Sequence, residues 1–373
     1  MKKIKMTIGI SGILVLLVIL VIIMGLGLTG FSISENKDII EIGVITSLSG
    51  ELATYGQGTL NAALLAQEEI NANGGNIQIM AEDSPCDANS ALGAFNKLSS
   101  IDGVDVILGP LCSNELLAIA PIANKNEMII ISSSATSPEV TNAGDYIFRS
   151  VASDDIRAKV FAGYLIENEI KEIAIIYEND DAGVGFEKSF VREFESLGGE
   201  VSISEIYEKG TSDMRTQLTK IEQYNPENVL MVSFPAETGR ILVQSKELGL
   251  SVNFFEGFEV MSDPQVSEIA GDLVEGVVYI QSISQKGAKS NDFAKKYLER
   301  YGEEAPYYAV EAYDIVYLYS ETFHEGSSLK TKEALYNVQD YNGASGVISF
   351  DENGDVLKPF EIGKVINKKL VAL

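Results

Sequence analysis

From Ile39 onward the sequence switches repeatedly between short runs rich in β-branched residues and longer amphipathic segments, and it does so in two series. Such a chain has few options. Alternation of this kind builds βαβ units and a mostly parallel sheet, and a second series builds a second sheet. In the first series strands are expected at Ile39 to Ile45, Ile77 to Ala81, Val104 to Leu108 and Met128 to Ile131, with helices at about Thr59 to Asn73, Ala88 to Ser100 and Glu115 to Asn124. Leu60, Ala63, Leu64, Ala66, Gln67 and Ile70 keep helical spacing, and Gly74-Gly75 stops that helix. The second series starts near Asp154. Its expected strands are Ile173 to Tyr177, Val201 to Ile206, Asn228 to Phe234, Asn253 to Phe255 and Val277 to Ile280. The helices between them are expected at about Gly185 to Leu197, Met214 to Tyr224 and Thr238 to Leu248. Two more helices, roughly Asn291 to Tyr301 and Tyr307 to Phe323, precede strands at Gly346 to Phe350 and Phe360 to Asn367, around the turn Asp351-Glu352-Asn353-Gly354. The pattern predicts an α/β protein of two similar lobes joined by several short crossings.

Ahead of this lies an uncharged run, Ile8 to Leu28, of 21 positions. At 1.5 Å per residue it is long enough to span a hydrocarbon core of about 30 Å. Lys2, Lys3 and Lys5 precede it while Glu35 and Asp38 follow, which puts the N-terminus in the cytoplasm and the rest of the chain outside. A cleaved signal peptide is the alternative, but its apolar region is usually about 7 to 15 residues and ends at a small-residue site. Gly27-Leu28-Thr29-Gly30 fits such a site poorly, so a retained transmembrane helix is expected, with Phe31 to Lys37 as a tether.

Composition removes several function classes. The 28 Lys+Arg stand against 54 Asp+Glu, a formal charge of -26, and a field of that sign repels nucleic acid. One histidine, His324, and two cysteines leave no His/Cys metal cluster. No phosphate loop, nucleophile elbow or HExxH motif occurs, so neither an enzyme nor a cofactor or metal centre is expected. Gly183-Val184-Gly185 reads as a tight turn between a strand and a helix. In an exported domain the pair Cys86 and Cys112 favours a disulfide over a catalytic thiol. Closing a loop of about 26 residues contributes roughly 3 kcal/mol in the chain-entropy model.

Three loops follow predicted strands at their carboxyl ends, where open α/β sheets place a ligand crevice. They are Thr46-Ser47-Leu48-Ser49-Gly50 with Thr54-Tyr55-Gly56, Gly109-Pro110-Leu111-Cys112-Ser113-Asn114, and Ser132-Ser133-Ser134-Ala135-Thr136-Ser137-Pro138-Glu139. Hydroxyls and backbone N–H groups at helix starts bind an anion such as a carboxylate without a cation, and plain helix capping is the alternative.

Ile42-Gly43-Val44 through Leu48-Ser49-Gly50, Glu69-Ile70-Asn71-Ala72-Asn73-Gly74-Gly75, Gly109-Pro110 and Ser134-Ala135-Thr136-Ser137-Pro138-Glu139 together resemble the leucine/isoleucine/valine-binding proteins. These are type I periplasmic substrate-binding proteins of branched-chain amino-acid ABC transporters. The likeness runs over about residues 39 to 367 and includes Ile269-Ala270-Gly271 and Ser349-Phe350-Asp351-Glu352-Asn353-Gly354. It implies two Rossmann-like lobes joined by a multi-strand hinge. Lobe 1 would be residues 38–153 plus 282–345 and lobe 2 residues 154–281 plus 346–373, with 1–37 as cytoplasmic stub, anchor and tether.

Cys86 and Cys112 match the positions of the family's first-lobe disulfide. Ser113 and Thr136 match residues that bind a ligand α-carboxylate. At Ser134 a backbone carbonyl would accept from the α-ammonium, and Glu259 from lobe 2 would complete that site. Tyr55 matches an aromatic residue of the side-chain pocket. Ala182, in Asp180-Asp181-Ala182-Gly183, and Phe234 fall where relatives carry a tyrosine and another aromatic hydroxyl, so a larger, less polar cavity is expected. The resemblance implies a membrane-anchored extracytoplasmic protein that captures a free amino acid, branched-chain or otherwise apolar, and presents it to ABC permease subunits. A ligand-binding sensor component docking onto a separate receptor is the alternative.

Overall fold

The computed structural model describes residues 39–283 and 287–373. The expected anchor and tether lie outside the described residues, and none of the described helices is long and apolar enough to cross a membrane.

The first sheet holds β1 (Ile40–Thr46), β2 (Ile77–Asp83), β3 (Val106–Leu108), β4 (Ile130–Ser132) and β5 (Ile147–Arg149), in the order β2-β1-β3-β4-β5. All its pairs are parallel, with Ile42 opposite both Ile79 and Val106. The period-2 pleat divides its apolar residues between two cores. Ile42, Val44, Val106, Leu108 and Ile131 face one core, shared with α1 (Ala53–Ala72). Ile45, Ile107, Ile130 and Ile147 face the other, with α2 (Ala88–Asn96) and α3 (Ser113–Lys125).

Along the second half of the chain follow α4 (Asp154–Glu167), β6 (Glu172–Glu178), α5 (Asp181–Ser196), β7 (Glu200–Tyr207), α6 (Arg215–Gln223), β8 (Asn228–Val232), α7 (Pro235–Leu248), β9 (Asn253–Glu256), α8 (Pro264–Ala270) and β10 (Val278–Ser282). Their sheet has the order β14-β13-β10-β9-β8-β6-β7. The five strands from β10 to β7 are parallel, while β13 (Phe360–Ile366) and β14 (Lys369–Ala372) extend it antiparallel. Phe186, Phe190 and Phe194 recur every fourth residue on the buried face of α5, their rings stacked at 6.2 and 5.2 Å.

Between β10 and β13 the chain returns to the first lobe as α9 (Ala288–Tyr301), α10 (Ala309–Thr322) and α11 (Ser328–Tyr336), then a small pair, β11 (Tyr341–Asn342) with β12 (Val347–Ile348). Tyr297, Tyr313 and Tyr319 belong to the first core. So do Ile348, Phe350 and Val356, which the sequence reading places with lobe 2. They stay because the turn after β12 is tied to the first sheet: Arg149 N donates to Gly354 O at 3.0 Å, and the Arg149 side chain pairs with Asp355 at 2.7 Å. The chain therefore crosses between sheets three times, after β5, after β10 and after Val356. β5, α4, α8, α11 and β14 are elements that the sequence pattern leaves unassigned.

Candidate functional site

The loops after β1, β3 and β4 meet the strand ends of the second sheet around a cavity. The first lobe contributes Leu52, Tyr55, Leu111, Cys112, Ser113, Ser134, Thr136 and Tyr308; the second contributes Arg157, Asp180, Ala182, Phe234, Pro235, Phe258, Glu259 and Val260. All seven residues expected at a ligand site, Tyr55, Ser113, Ser134, Thr136, Ala182, Phe234 and Glu259, lie in this one wall.

Part of the wall is built from hydrogen-bond donors. Ser113 opens α3, so the free N–H groups and positive dipole end of a 13-residue helix stand at the wall. The loop after β4 is fastened to it: Ser113 Oγ accepts from Ser137 N at 3.1 Å, and Ser134 Oγ donates to Leu111 O at 2.7 Å. Arg149, fully buried, fixes the same loop from behind. Its Nη1 donates to Thr136 O at 3.1 Å and Ser137 O at 2.8 Å, while two bonds of 2.7 Å hold the guanidinium on Asp355. Cys86 and Cys112 form a disulfide, with Cα atoms 5.4 Å apart, that pins the start of α3 to the loop after β2. Such rigid, prepaid geometry is what an anion site needs.

The wall also carries charge. Glu259 is buried; its Oε1 accepts from Ser282 N at 3.1 Å and Ser282 Oγ at 2.8 Å and lies 3.4 Å from Arg157 Nη2. Arg157 Nη1 is 3.3 Å from Asp154 Oδ1. Burial pushes the Glu259 carboxyl above its ordinary range, opposed by Arg157 and by Ser282. Burial also works against the Arg157 cation, yet Asp154 and Glu259 outweigh it and hold the group above its ordinary value. The sequence reading missed Arg157, although a signal was present: Arg157, Phe161 and Leu165 share the buried stripe of α4, and a cation on such a stripe asks for a function.

The rest of the wall is largely apolar. The Phe234 ring meets Phe258 edge-on at 5.5 Å, and Leu52, Leu111, Pro235 and Val260 complete it. The expectation of a less polar cavity is not met throughout, because Asp180 lines it beside Ala182. Asp180 caps α5 by accepting from Gly183 N at 2.7 Å, and burial raises its carboxyl to about 6.

Several contacts join the two lobes. Tyr55 Oη donates to Asp263 Oδ2 at 2.5 Å, and Lys209 Nζ donates to Cys86 O at 3.0 Å. Gly185 packs so near the first lobe that a Cβ there would lie 2.7 Å from Pro138 Cδ. The glycine pair of the sequence thus has two uses. A Cβ on Gly183 would strike Glu178 O in the tight turn, whereas Gly185 lets the lobes meet.

Two mostly parallel sheets facing each other across a cavity walled by both, with the chain crossing between them three times, define a two-lobed binding protein. The chain belongs to the periplasmic binding protein family, whose description matches residues 39–369. It is 27% identical to the leucine-, isoleucine-, valine-, threonine- and alanine-binding protein of Pseudomonas aeruginosa, over 90% of this chain and 92% of that one. Identity to the Leu/Ile/Val-binding protein of Escherichia coli K12 is 28%, over 66% of this chain and 69% of the relative. Among solved structures, the leucine binding protein LivK of Thermotoga maritima superposes with a TM-score of 0.82 at 25% identity, covering 90% of this chain and 97% of that one. The branched-chain amino acid transporter substrate binding protein LivJ of Streptococcus pneumoniae, in complex with isoleucine, gives 0.80 at 26% identity, covering 90% and 99%.

Proposed function

We propose that this protein captures a free L-amino acid with a branched-chain or other apolar side chain and delivers it to the permease subunits of an ABC transporter. The observation that carries the reading is a single wall that holds both kinds of partner, a helix N-terminus with Ser113 and Thr136 and the buried Glu259, with apolar residues beside them. That arrangement complements a zwitterion, whose carboxylate goes to the donors and whose ammonium goes to the carboxylate. The names of its relatives support the same class of ligand. The lobes are residues 39–153 with 283–356 and residues 154–282 with 357–373. Ligand contacts made by both lobes favour the closed form, which the permease then reads. The N-terminal apolar run holds the domain at the extracytoplasmic face of the cell membrane.

A thermal-shift panel on the purified full-length protein tests this, using the common L-amino acids, their amides and short peptides. A true ligand at 100 times its dissociation constant stabilises the native state by about 2.7 kcal/mol. No response to any amino acid would sink the reading.

A further inference from the structure

Next to the main cavity lies a second, smaller one, and the two share a wall made of Leu52, Phe234 and Pro235. The remaining wall of the second holds Ala236, Gln265 and three acids, Glu51, Glu178 and Glu237, with a single cation, Lys209. Two of these charges are already engaged elsewhere. Lys209 Nζ donates to Cys86 O at 3.0 Å, and Glu237 Oε1 accepts from Arg240 at 2.6 Å. Glu178 is different. It ends β6, is 1% exposed and lines the cavity, and its Oε1 has no hydrogen-bond partner among the described residues. A buried carboxyl oxygen without a donor is costly, so an orphan of this kind on a cavity wall marks the place of a missing donor. Burial, and then Asp180 and Glu237, raise the Glu178 carboxyl to about 8, and Lys209 offsets them only in part.

We propose that this side cavity receives the cationic end of a long side chain, so that the protein binds lysine-like amino acids as well as aliphatic ones. The inference rests on the amino-acid reading of the main cavity. With the α-carboxylate and α-ammonium held there, the aliphatic stem of a basic side chain runs along Leu52, Phe234 and Pro235, as such stems do on apolar surface. Its ammonium or guanidinium then supplies Glu178 Oε1 with the donor it lacks.

Calorimetry on the purified full-length protein with L-lysine and L-norleucine decides it, because norleucine carries the same four-carbon chain without the ammonium. The expected result is lysine at least tenfold tighter than norleucine, with the ratio falling to near one in Glu178→Gln. Norleucine binding as tightly as lysine would overturn the proposal and leave the amino-acid reading intact. So would a lysine preference unchanged in Glu178→Gln. Binding of no amino acid at all would remove both readings. A thermal shift with calcium chloride alone, abolished in Glu178→Gln, would make the cavity a metal site instead and overturn the proposal.

Discussion

Replacing Glu259 by glutamine keeps the shape of the side chain and removes its charge, which separates ligand recognition from folding. In the ligand arm the α-ammonium loses a charge-assisted contact worth roughly 1.5 to 3 kcal/mol, a fall in affinity of about tenfold or more. The stability arm follows from the triad in which Glu259 sits. Arg157 lies 3.4 Å from Glu259 and 3.3 Å from Asp154, and all three groups are buried. At an effective dielectric constant of about 20, the Arg157–Glu259 attraction comes to about 5 kcal/mol. Taking the Glu259 charge out of water costs several kcal/mol in return, and Asp154 still neutralises Arg157 in the variant. The two effects nearly cancel, so the ligand-free melting temperature should change little. Arg157→Met lacks this cancellation. It leaves Asp154 and Glu259 as two buried carboxylates without a cation and should destabilise the fold by about 3 to 5 kcal/mol. Titration calorimetry and differential scanning calorimetry on both variants measure the two arms. Glu259→Gln with wild-type affinity would refute the placement of the ammonium, and Arg157→Met with a wild-type melting temperature would refute the account of the triad.

Gly185→Ala should act in opposite directions on fold and ligand. Within α5 the added methyl raises helix propensity by about 0.5 to 1 kcal/mol, but a Cβ 2.7 Å from Pro138 Cδ obstructs closure, so apo stability rises while affinity falls severalfold. Unchanged affinity would show that the lobes do not meet there when ligand is bound. Tyr55→Phe removes the 2.5 Å bond to Asp263 across the cleft, and calorimetry should show affinity down by about tenfold, at roughly 1.5 kcal/mol for a bond to a charged acceptor. Stability of the ligand-free protein should fall between pH 5 and 8. Burial raises the Glu256 carboxyl to about 8, and Glu178 is raised as far, so each group favours the proton in the fold; that stability is complete below about pH 4.3 and is lost as pH rises through about 8. The slope is at most about 1.4 kcal/mol per pH unit for each group, and Glu256→Gln should flatten it in denaturant titrations at several pH values.

The alternation of β-rich and amphipathic runs determined the two-sheet architecture, because period 2 in a strand and 3.6 in a helix are local properties. Glycine and hydroxyl-rich loops at predicted strand ends marked where the crevice lies, since turn chemistry and helix starts are also local. The seven residues that the resemblance brought forward meet in one cavity, but their contacts were not legible from it. Nothing near Glu259 in the sequence announces Arg157, which is 102 positions earlier and reaches it only when α4 packs under the second sheet. Arg149 and Asp355 are likewise 206 positions apart, and their pairing keeps Ile348, Phe350 and Val356 in the first lobe against the local pattern. Gly185 looked like a turn residue until Pro138 of the other lobe was set against it. The orphaned oxygen of Glu178 exists only because burial excludes water from a strand end that the sequence shows as an ordinary acidic residue. Burial and charge pairing depend on what folds against a residue from far along the chain, so tertiary structure alone decided them.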